Sequence, residues 1–561
     1  MVIDIIQILI TLALLAALVI PTGKYIYKVI TGEQSVFDPF FDRVDGLIYK
    51  LTGVKRSEMG WKQYVLSLIA TNLIMVVLVF LLFRLQGYLV INPNQNVGME
   101  QWLAFNTAIS FITNTNLQHY SGEWGLSYLS QMAAITFLMF TSAATGFAAA
   151  AAFMRGITGK TKNLGNFFVD LIRITTRILM PISVAVTLLL VWQGVPQTLS
   201  RYQTVTTIEG NMQDIPLGPV ASLESIKHLG TNGGGFFGAN SSHPFENPTP
   251  LTNVIEILCM MLLPASLVYT FGLMLKSKKQ GWVIFAAMTI LFSIFQSVSY
   301  FSEQAGNPVL TAAGLSQTMG NMEGKEVRFG IAQTSLFTTV TTAFTTGSVN
   351  NMHDSLTPLG GLVPLAQMML NVVFGGKGVG FINMIMYAIL AVFLCGLMVG
   401  RTPEFLGKKI EGKEMKLIAL TILVHPLIIL IPSAISLFTE SGLAGITNPG
   451  FHGLSQVLYE FTSSAANNGS GFEGLADNTF FWNITTGLVM FLGRYISIIA
   501  LMAVAGSLAV KKEVPVGAGT FKTDNMLFTF ILLAVVLIVG ALTFFPAISL
   551  GPIAEHLTLG R

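Results

Sequence analysis

Four stretches rich in glycine, asparagine and threonine recur along the chain. Their residues are Thr113, Asn114, Thr115, Asn116; Thr231, Asn232, Gly233, Gly234; Thr345, Thr346, Gly347, Ser348; and Ala466, Asn467, Asn468, Gly469. Glycine readily enters the positive-φ conformations that aim successive carbonyls at one axis. A ring of such oxygens can replace the hydration shell of a monovalent cation such as potassium. Divalent ions more usually require carboxylates, which these short runs lack. The stretches therefore predict a monovalent cation filter.

The four stretches are nearly evenly spaced. With Thr115, Gly233, Gly347 and Gly469 as markers, the steps are 118, 114 and 122 residues, which predicts a fourfold repeat. Each stretch follows a half-length helical pattern that is too short to span a membrane. The C-terminal end of each such helix would point toward the filter or cavity, and its partial negative charge favours a cation. A single stretch of this kind could be a flexible surface turn. Four of them at this spacing favour a pore.

The composition places these segments in a membrane. Of 561 residues, 52% are hydrophobic and only 11% are charged, with a net charge of +3. Soluble domains carry about 25% charged residues, so this chain cannot cover a surface that faces water. No basic stripe supports nucleic-acid binding. Cys259 and Cys395 lie in apolar runs and suggest neither a disulfide framework nor a zinc site. The first ten residues lack a basic region and a cleavage pattern, so we expect a retained span.

Ten apolar runs are long enough to cross a bilayer, since a spanning helix needs about 20 residues. They are 5–26, 64–83, 129–154, 171–192, 254–275, 282–300, 362–399, 417–438, 480–510 and 527–547. Between the second and third, fourth and fifth, sixth and seventh, and eighth and ninth runs lie the four half-helices with their filter stretches. Irregular backbone at membrane depth is tolerated only where protein buries it or where it lines a water-filled path.

Basic residues fix the expected orientation. Loops on one side hold 22 of the 31 Lys and Arg residues, including Lys160 and Arg401. The other side holds six, which are Arg84, Arg201, Lys227, Lys325, Arg328 and Arg561, and three lie at membrane depth, which are Arg177, Lys377 and Arg494. The positive-inside rule makes the richer side cytoplasmic, so both termini are expected outside the cell. We expect Arg177 to snorkel toward the cytoplasmic face.

Longer motifs resemble a known family. They are FITNTNLQ from Phe111, GTNGGGFFGANSSHPFENPT from Gly230, TTGSVNNMHDS from Thr345, GRTPEFLGKKIEGKE from Gly400 and EFTSSAANNGSGF from Glu460. In this order and over essentially the full length, they resemble the potassium-binding A subunit of the bacterial Kdp P-type potassium-transporting ATPase.

The resemblance implies an all-α membrane fold of the superfamily of potassium transporters. It would have four fused helix–pore loop–helix repeats around a pseudo-fourfold pore, plus two flanking helices. The expected division is a first flanking helix with its loop at 1–62, repeats at 63–165, 166–280, 281–410 and 411–515, and a last flanking helix at 516–561. The second helix of the third repeat would be broken.

The resemblance also implies partners and a function. These partners are a P-type ATPase subunit, an accessory subunit with a single membrane anchor, and often a very small membrane peptide. This chain would bind and select external potassium in the bacterial cell membrane and pass it through an intersubunit tunnel. ATP and magnesium would bind the partner. The sequence agrees, because it has no DKTGT motif, and RGITGKT has Met154 where a phosphate-binding loop needs its first glycine. We therefore expect a non-catalytic subunit that binds no cofactor.

Charged residues at membrane depth suggest control points. Arg494 in FLGRYISIIA could face the interior below the fourth filter stretch and limit cation passage, or it could cap carbonyls of a broken helix. Lys377 lies among glycines in NVVFGGKGVGF, where Gly375, Gly376, Gly378 and Gly380 interrupt a run of nearly forty residues. We expect 375–380 to form a gate beneath the filter. The alternative is a flexible kink, with Lys377 reaching a helix end.

Several polar residues border the filter stretches. Family resemblance makes Gln118 a candidate for a side chain that faces the ion. Glu224, Glu246, Glu256, Asp354 and Glu460 could concentrate cations at the entrance, although turn formers around them favour a bracing role.

Two other function classes remain open. One is a self-sufficient potassium channel or ion-coupled symporter of the same fourfold architecture. The other is a proton-coupled carrier, which the lack of an acidic chain across the spans disfavours.

Overall fold

Long apolar helices and short half-helices alternate in the computed structural model of the chain. The structure describes residues 2–159, 161–398, 400, 402–514 and 521–559. Lys160, Val399, Arg401 and Arg561, which enter the sequence predictions, lie outside these ranges, as do residues 515–520.

The long helices occur at the predicted positions and are joined by short ones. The helices as far as the second half-helix are α1 Val2–Thr31, α2 Asp38–Thr52, α3 Trp61–Leu85, α4 Gln101–Ile112, α5 Gly122–Gly125, α6 Tyr128–Ser130, α7 Phe137–Thr158, α8 Phe167–Ile174, α9 Met180–Trp192 and α10 Val220–Leu229. Turns of π-helix at Gln131–Thr136 and Thr175–Leu179 join α6 to α7 and α8 to α9.

The second half of the chain repeats the pattern. Its helices are α11 Pro250–Met274, α12 Lys278–Gln304, α13 Pro308–Ala312, α14 Gly330–Ala343, α15 Pro358–Leu370, α16 Val379–Met398, α17 Gly412–Phe438, α18 Glu440–Leu443, α19 Phe451–Ala466, α20 Phe480–Ala509, α21 Met526–Ile548 and α22 Ala554–Thr558. A π-helical turn at Ser549–Ile553 joins the last two. Short 3-10 turns lie at Gln86–Tyr88, Asn240–Ser242 and His353–Ser355.

Two small hairpins complete the secondary structure of the described residues. Strand β1 Gln203–Thr206 pairs antiparallel with β2 Met212–Ile215, and β3 Glu404–Phe405 pairs antiparallel with β4 Lys408–Lys409. In the described part of the chain, ten helices or joined helices are long and apolar enough to cross a membrane. The predicted all-α membrane fold with ten spans is confirmed.

The half-helices α4, α10, α14 and α19 are the pore helices, and they all enter from one end of the bundle, which we call the entrance face. Both termini lie at this face. His452 Nδ1 near the start of α19 lies 2.9 Å from Glu555 Oε1 in α22. At the other terminus, the Tyr300 hydroxyl near the end of α12 donates to Asp4 Oδ2 at 2.8 Å.

Burial separates central from peripheral helices. Ala148 to Ala152 in α7 are fully buried, and small side chains of this kind let helix backbones approach closely. In α1, by contrast, apolar residues such as Ile3, Leu9 and Ile10 are exposed, as expected for a helix that faces lipid. The filter therefore lies inside a core of closely packed helices.

The seventh predicted span is two helices, since residues 371–378 between α15 and α16 are not helical. Of the residues predicted as a gate, 375–378 lie in this loop, and Val379 and Gly380 begin α16. A Cβ on Gly375 would overlap the Gly380 Cα. Glycine at these two positions thus lets the loop fold back on the first turn of α16.

The prediction that Arg177 snorkels is wrong. Its guanidinium is fully buried and forms ion pairs with three aspartates of α2, which are Asp38, Asp42 and Asp45. A buried charge is tolerated where it is paired. Here α2 supplies three carboxylates, and the ion pairs tie α2 to the π-helical turn before α9.

Candidate functional site

Each pore helix ends in the same hydrogen-bonded turn, which defines equivalent positions in the four repeats. The backbone N–H groups of Thr115, Asn232, Thr346 and Asn468 donate to the carbonyls of Ser110, Lys227, Thr341 and Ser463, at 2.9, 2.8, 2.7 and 2.9 Å. By this register Asn116 is the equivalent of Gly233, Gly347 and Gly469. The first marker of the predicted repeat, Thr115, is therefore one residue early. The equivalent position of the first repeat was not recognised in the sequence because it holds asparagine where the other three repeats have glycine.

The backbone of every filter stretch has positive φ at two positions separated by one residue. The first of each pair is Asn114, Thr231, Thr345 or Asn467, with φ of 61°, 47°, 42° and 56°. The second is Asn116, Gly233, Gly347 or Gly469, with φ of 58°, 109°, 92° and 98°. Threonine is strained in this conformation, because a β-branched residue there is an outlier. Such strain costs about 1–3 kcal/mol and persists only where the surroundings impose it.

The filter stretches interlock from one repeat to the next. A Cβ on Gly233 would overlap the carbonyl oxygen of Thr346, and one on Gly347 would overlap that of Asn468. A Cβ on Gly469 would overlap the carbonyl oxygen of Thr115 in the first repeat. The repeats thus touch in the order two, three, four, one.

Side-chain hydrogen bonds link the first repeat to its neighbours. Asn114 Nδ2 donates to the Thr231 carbonyl at 2.6 Å, and Asn232 Nδ2 donates to Asn114 Oδ1 at 2.9 Å. Asn467 Nδ2 donates to Thr115 Oγ1 at 2.9 Å. With the glycine contacts, these bonds close the four stretches into one ring.

Several predicted filter side chains support the backbone. Thr113 Oγ1 lies 2.8 Å from Thr115 Oγ1, and Asn468 Nδ2 donates to the Thr341 carbonyl at 2.9 Å. Gly234 packs against Asn116. Ser348 Oγ is 2.8 Å from His228 Nε2.

Other polar atoms at the ring are buried without a hydrogen-bond partner among the described residues. These are both amide atoms of Asn116, Oδ1 of Asn232 and Oγ1 of Thr346. Buried polar groups normally have partners. The hydrogen-bonding capacity of these atoms is not used within the described part of the chain.

Gln118, predicted as an ion-facing side chain, hydrogen-bonds to the second filter stretch. Its Oε1 accepts from the Gly235 N–H at 2.8 Å, and its Nε2 donates to the Gly235 carbonyl at 3.1 Å. Both ends of the amide are therefore committed to the second filter stretch. Gln118 braces the outer mouth between the first two repeats.

A buried ion network behind the second filter stretch was not predicted as a unit. Lys227 Nζ lies 2.6 Å from Glu224 Oε1 and 2.6 Å from Glu246 Oε2, and all three side chains are fully buried. Lys227 also donates to Asn240 Oδ1 at 2.9 Å, while Asn240 Nδ2 donates to the Gly233 carbonyl at 2.7 Å. The network thus holds a filter carbonyl. The three-residue spacing of Glu224 and Lys227 places both on one face of a pore helix, and this is the sequence feature that could have indicated the network.

The loop at 371–378, which contains four of the six residues of the predicted gate, contacts the second and third filter stretches. The Lys377 N–H donates to Thr231 Oγ1 at 3.1 Å. A Cβ on Gly376 would lie 3.0 Å from Thr345 Oγ1, and one on Gly378 would overlap the carbonyl of Gly146 in α7. Lys377 is fully buried, and within the described ranges its Nζ has no hydrogen-bond partner.

Arg494 reaches the same place from α20. Its Nη2 donates to the Ser142 carbonyl at 3.3 Å. A Cβ on Gly146 would overlap both the Lys377 carbonyl and Nη2 of Arg494. The Arg494 guanidinium and the backbone carbonyl of Lys377 therefore approach one glycine of α7. Arg494 contacts a carbonyl of α7 here, and its control of cation passage stays a prediction.

Arg494→Ala should weaken the apparent affinity for potassium at least five-fold, because the barrier to release below the filter falls when the positive charge is removed. Arg494→Lys keeps the charge and should lie closer to wild type. ATP-driven potassium uptake in vesicles, measured over a range of potassium concentrations, compares the three proteins. Unchanged affinity and rate in both variants would contradict a role for Arg494 in cation passage.

A cavity of about 330 Å³ lies at the outer mouth of the ring. The lining comes from the filter stretches and from the segments that follow them, and it includes Asn116, Gln118, His119, Gly347, Gly469 and Asp477. We call this cavity the vestibule. It gives the filter an open, polar approach from the entrance face.

Comparison with known proteins agrees with the geometry. A family model described as "Potassium-transporting ATPase A subunit" matches residues 9–557. A "Potassium-transporting ATPase potassium-binding subunit" of Clostridium acetobutylicum is 63% identical over 557 residues, covering 99% of this chain and 100% of the relative. The protein of the same name from Geobacillus kaustophilus is 60% identical over 547 residues, covering 97% and 98%.

A solved structure shares the fold at low identity. It is the potassium transporter TrkH from Vibrio parahaemolyticus, with a TM-score of 0.50 and 14% identity, covering 76% of this chain and 84% of that chain. At this identity the likeness concerns architecture alone.

Proposed function

Because this chain belongs to the family of potassium-transporting ATPase A subunits, we propose that it selects potassium at the ring of four filter stretches. It passes the ion into an ATP-driven uptake complex. The observation that carries this proposal is the interlocked ring, in which three glycines lie against carbonyl oxygens of the next repeat. An interlocked backbone keeps its oxygens at a fixed spacing, and neutral oxygens suit a monovalent cation.

The proposed orientation places the entrance face and both termini outside the bacterial cell membrane. The loops at the opposite face carry most of the basic residues, as the positive-inside rule requires of the cytoplasmic side. Potassium would then enter the vestibule from outside and meet the ring first.

The loop at 371–378 closes the direct route inward in this proposal. It lies against Thr231 and Thr345 of the ring and against Gly146 of α7. Non-helical backbone at membrane depth is tolerated where it lines such a path. An ion that passes the ring would be stopped here and turned sideways.

Deleting 375–378 should raise passive potassium leak through the chain, because the backbone that blocks the path is removed. Lys377→Met is a milder second variant that removes only the buried charge, and we expect a smaller leak from it. Potassium efflux from proteoliposomes without ATP is the measurement, with the wild-type protein as the tight reference. A deletion variant that folds and stays as tight as wild type would rule out the gate.

We also propose the partners. A P-type ATPase subunit would bind ATP and magnesium, and an accessory subunit with one membrane anchor and a very small membrane peptide would complete the assembly. A small cavity of about 40 Å³ is lined by Asn467 of the fourth filter stretch, by Asn371, Asn383 and His425, and by apolar side chains. The polar groups in its lining support a lateral exit toward a partner.

Purification with the partner subunits tests the function. The complex should hydrolyse ATP in response to potassium, and Gly233→Asp should lower both the apparent affinity and the selectivity over sodium, because a carboxylate would replace part of the neutral ring. Passive flux by the chain alone, without any ATPase partner, would instead support the self-sufficient channel.

A further inference from the structure

A histidine and two carboxylates meet at the wall of the vestibule, outside the filter ring. His119 Nε2 lies 3.2 Å from Glu460 Oε1 and 3.7 Å from Asp477 Oδ2. One ligand atom from each residue lies within 4.8 Å of the other two. His119 follows the first filter stretch, Glu460 belongs to pore helix α19, and Asp477 precedes α20.

The hydrogen bonds of Asn483 determine which nitrogen of the His119 ring faces the two carboxylates and which one carries the proton. Asn483 Nδ2 donates to Asn478 Oδ1 at 3.2 Å, so Oδ1 is the amide atom that faces His119 Nδ1, at 2.8 Å. An oxygen there can only accept, so Nδ1 carries the proton. The other nitrogen, Nε2, faces two carboxylates, so either a proton or a metal cation must lie between them. Fixing the imidazole through its second nitrogen is the usual support for a metal-binding histidine.

The equivalent glutamate in the second repeat has a cation of its own. Glu224 and Glu460 both lie eight residues before the equivalent positions Asn232 and Asn468. Lys227 pairs with Glu224, but the corresponding residue of the fourth repeat is Ser463. Burying a carboxylate without a counter-charge is unfavourable. The fourth repeat therefore buries Glu460 without a lysine of its own pore helix as the counter-charge.

We propose that His119, Glu460 and Asp477 form a divalent transition-metal site in the vestibule wall, of the class that binds Zn²⁺. One imidazole nitrogen and two carboxylate oxygens are ligands that zinc accepts, with bonds of about 2.0–2.2 Å. In a tetrahedral site, such bonds separate the ligand atoms by about 3.3 Å, which is close to the distances found here. His119 and Asp477 also line the vestibule, so an ion has access from the entrance face.

A proton is the competing occupant of this site. Burial alone lowers the pKa of His119, but Asp477 and Glu460 outweigh burial and raise the pKa to about 9. Zinc must therefore displace a proton from Nε2 at neutral pH. The second such cluster in the described chain, Glu224, His228 and Glu256, differs because Lys227 already pairs with one of its carboxylates, Glu224.

Zinc titration of the purified complex at pH 8, followed by calorimetry, tests the site with Zn²⁺ alone as the probe. Wild type should bind one more zinc ion per chain than His119→Gln, and Asp477→Asn should raise the dissociation constant at least ten-fold. Glu473→Gln is the matched control, because Glu473 lines the same vestibule but lies outside the three-ligand cluster. Its dissociation constant should stay within two-fold of wild type.

Two results would overturn the proposal. One is equal zinc stoichiometry in wild type and His119→Gln. The other is equal weakening by Glu473→Gln and Asp477→Asn, which would show only diffuse attraction to an acidic surface. If His119→Gln fails to fold, Co²⁺ bound to the wild-type complex gives a second measurement. Visible d–d absorption that zinc abolishes supports the site, and its absence contradicts it. These readouts do not depend on potassium transport, so a failure of the proposed function would leave the zinc results unchanged.

Discussion

Gly347→Ala should reduce the apparent potassium affinity of the transport complex at least 100-fold, or by about 2.7 kcal/mol. Gly347 has a φ of +92°, and a Cβ there would overlap the carbonyl oxygen of Asn468 in the next repeat. The clash is with backbone on the inner side of a closed ring, so no flexible side chain can move aside. The carbonyl must shift, and the ion then loses ligands. Potassium-stimulated ATP hydrolysis, measured across potassium concentrations, reports the change.

Gly330→Ala is the control for this substitution. Gly330 begins the pore helix of the same repeat with a φ of +64°, and a Cβ there would meet nothing within 4 Å. Alanine at Gly330 should cost about 1–2 kcal/mol of stability through the left-handed backbone alone. Its potassium affinity should stay within two-fold of wild type. Equal affinities in Gly347→Ala and wild type would mean that the interlocked carbonyls do not surround the ion.

Lys227→Met should unfold the region behind the second filter stretch. The substitution keeps the length of the side chain but leaves Glu224 and Glu246 buried beside each other without their shared cation. Breaking a buried ion pair from one side costs about 3–5 kcal/mol. Glu246 Oε1 also accepts from the Phe237 N–H at 2.7 Å, so the segment after the filter loses its anchor. We expect a lower melting temperature and an apparent potassium affinity reduced at least ten-fold.

A second buried ion pair serves as the control that separates the loss of stability from the loss of potassium affinity. Lys325 Nζ lies 2.7 Å from Glu303 Oε2, and both side chains are fully buried. Within the described residues, neither side chain hydrogen-bonds to a filter stretch. Lys325→Met should lower the melting temperature to a similar degree. The folded fraction should bind potassium as wild type does. The assignment would be wrong if both variants lost affinity equally, or if neither did.

The spans and the repeat could be predicted from the sequence because hydropathy and spacing are local signals. Each predicted boundary falls within a few residues of a helix end, apart from the seventh span, which is two helices. The glycine-rich interruption at 375–380 did indicate that break. Its last two residues begin α16, and Gly380 can belong equally to a loop or to the first turn of a helix.

The hydrogen bonds that connect the filter stretches could not be predicted in the same way. Gln118 and Asn114 were identified by position, but their amide partners, Gly235 and Thr231, lie more than 100 residues further along the chain. The ion pairs of Arg177 likewise depend on α2, whose aspartates lie more than 130 residues away in the sequence. Only the folded chain brings these groups together. The ion-binding roles of the filter residues themselves stay predictions that the substitutions above test.

The closed order of the ring has a consequence for how the protein is made. Gly469 of the fourth repeat packs against Thr115 of the first, so the last contact of the ring joins residues from opposite ends of the chain. A growing polypeptide cannot form this contact until more than four-fifths of its length has entered the membrane. No selective path exists before that moment. Because the fourth stretch is needed to close the ring, the complete filter forms only late in biogenesis.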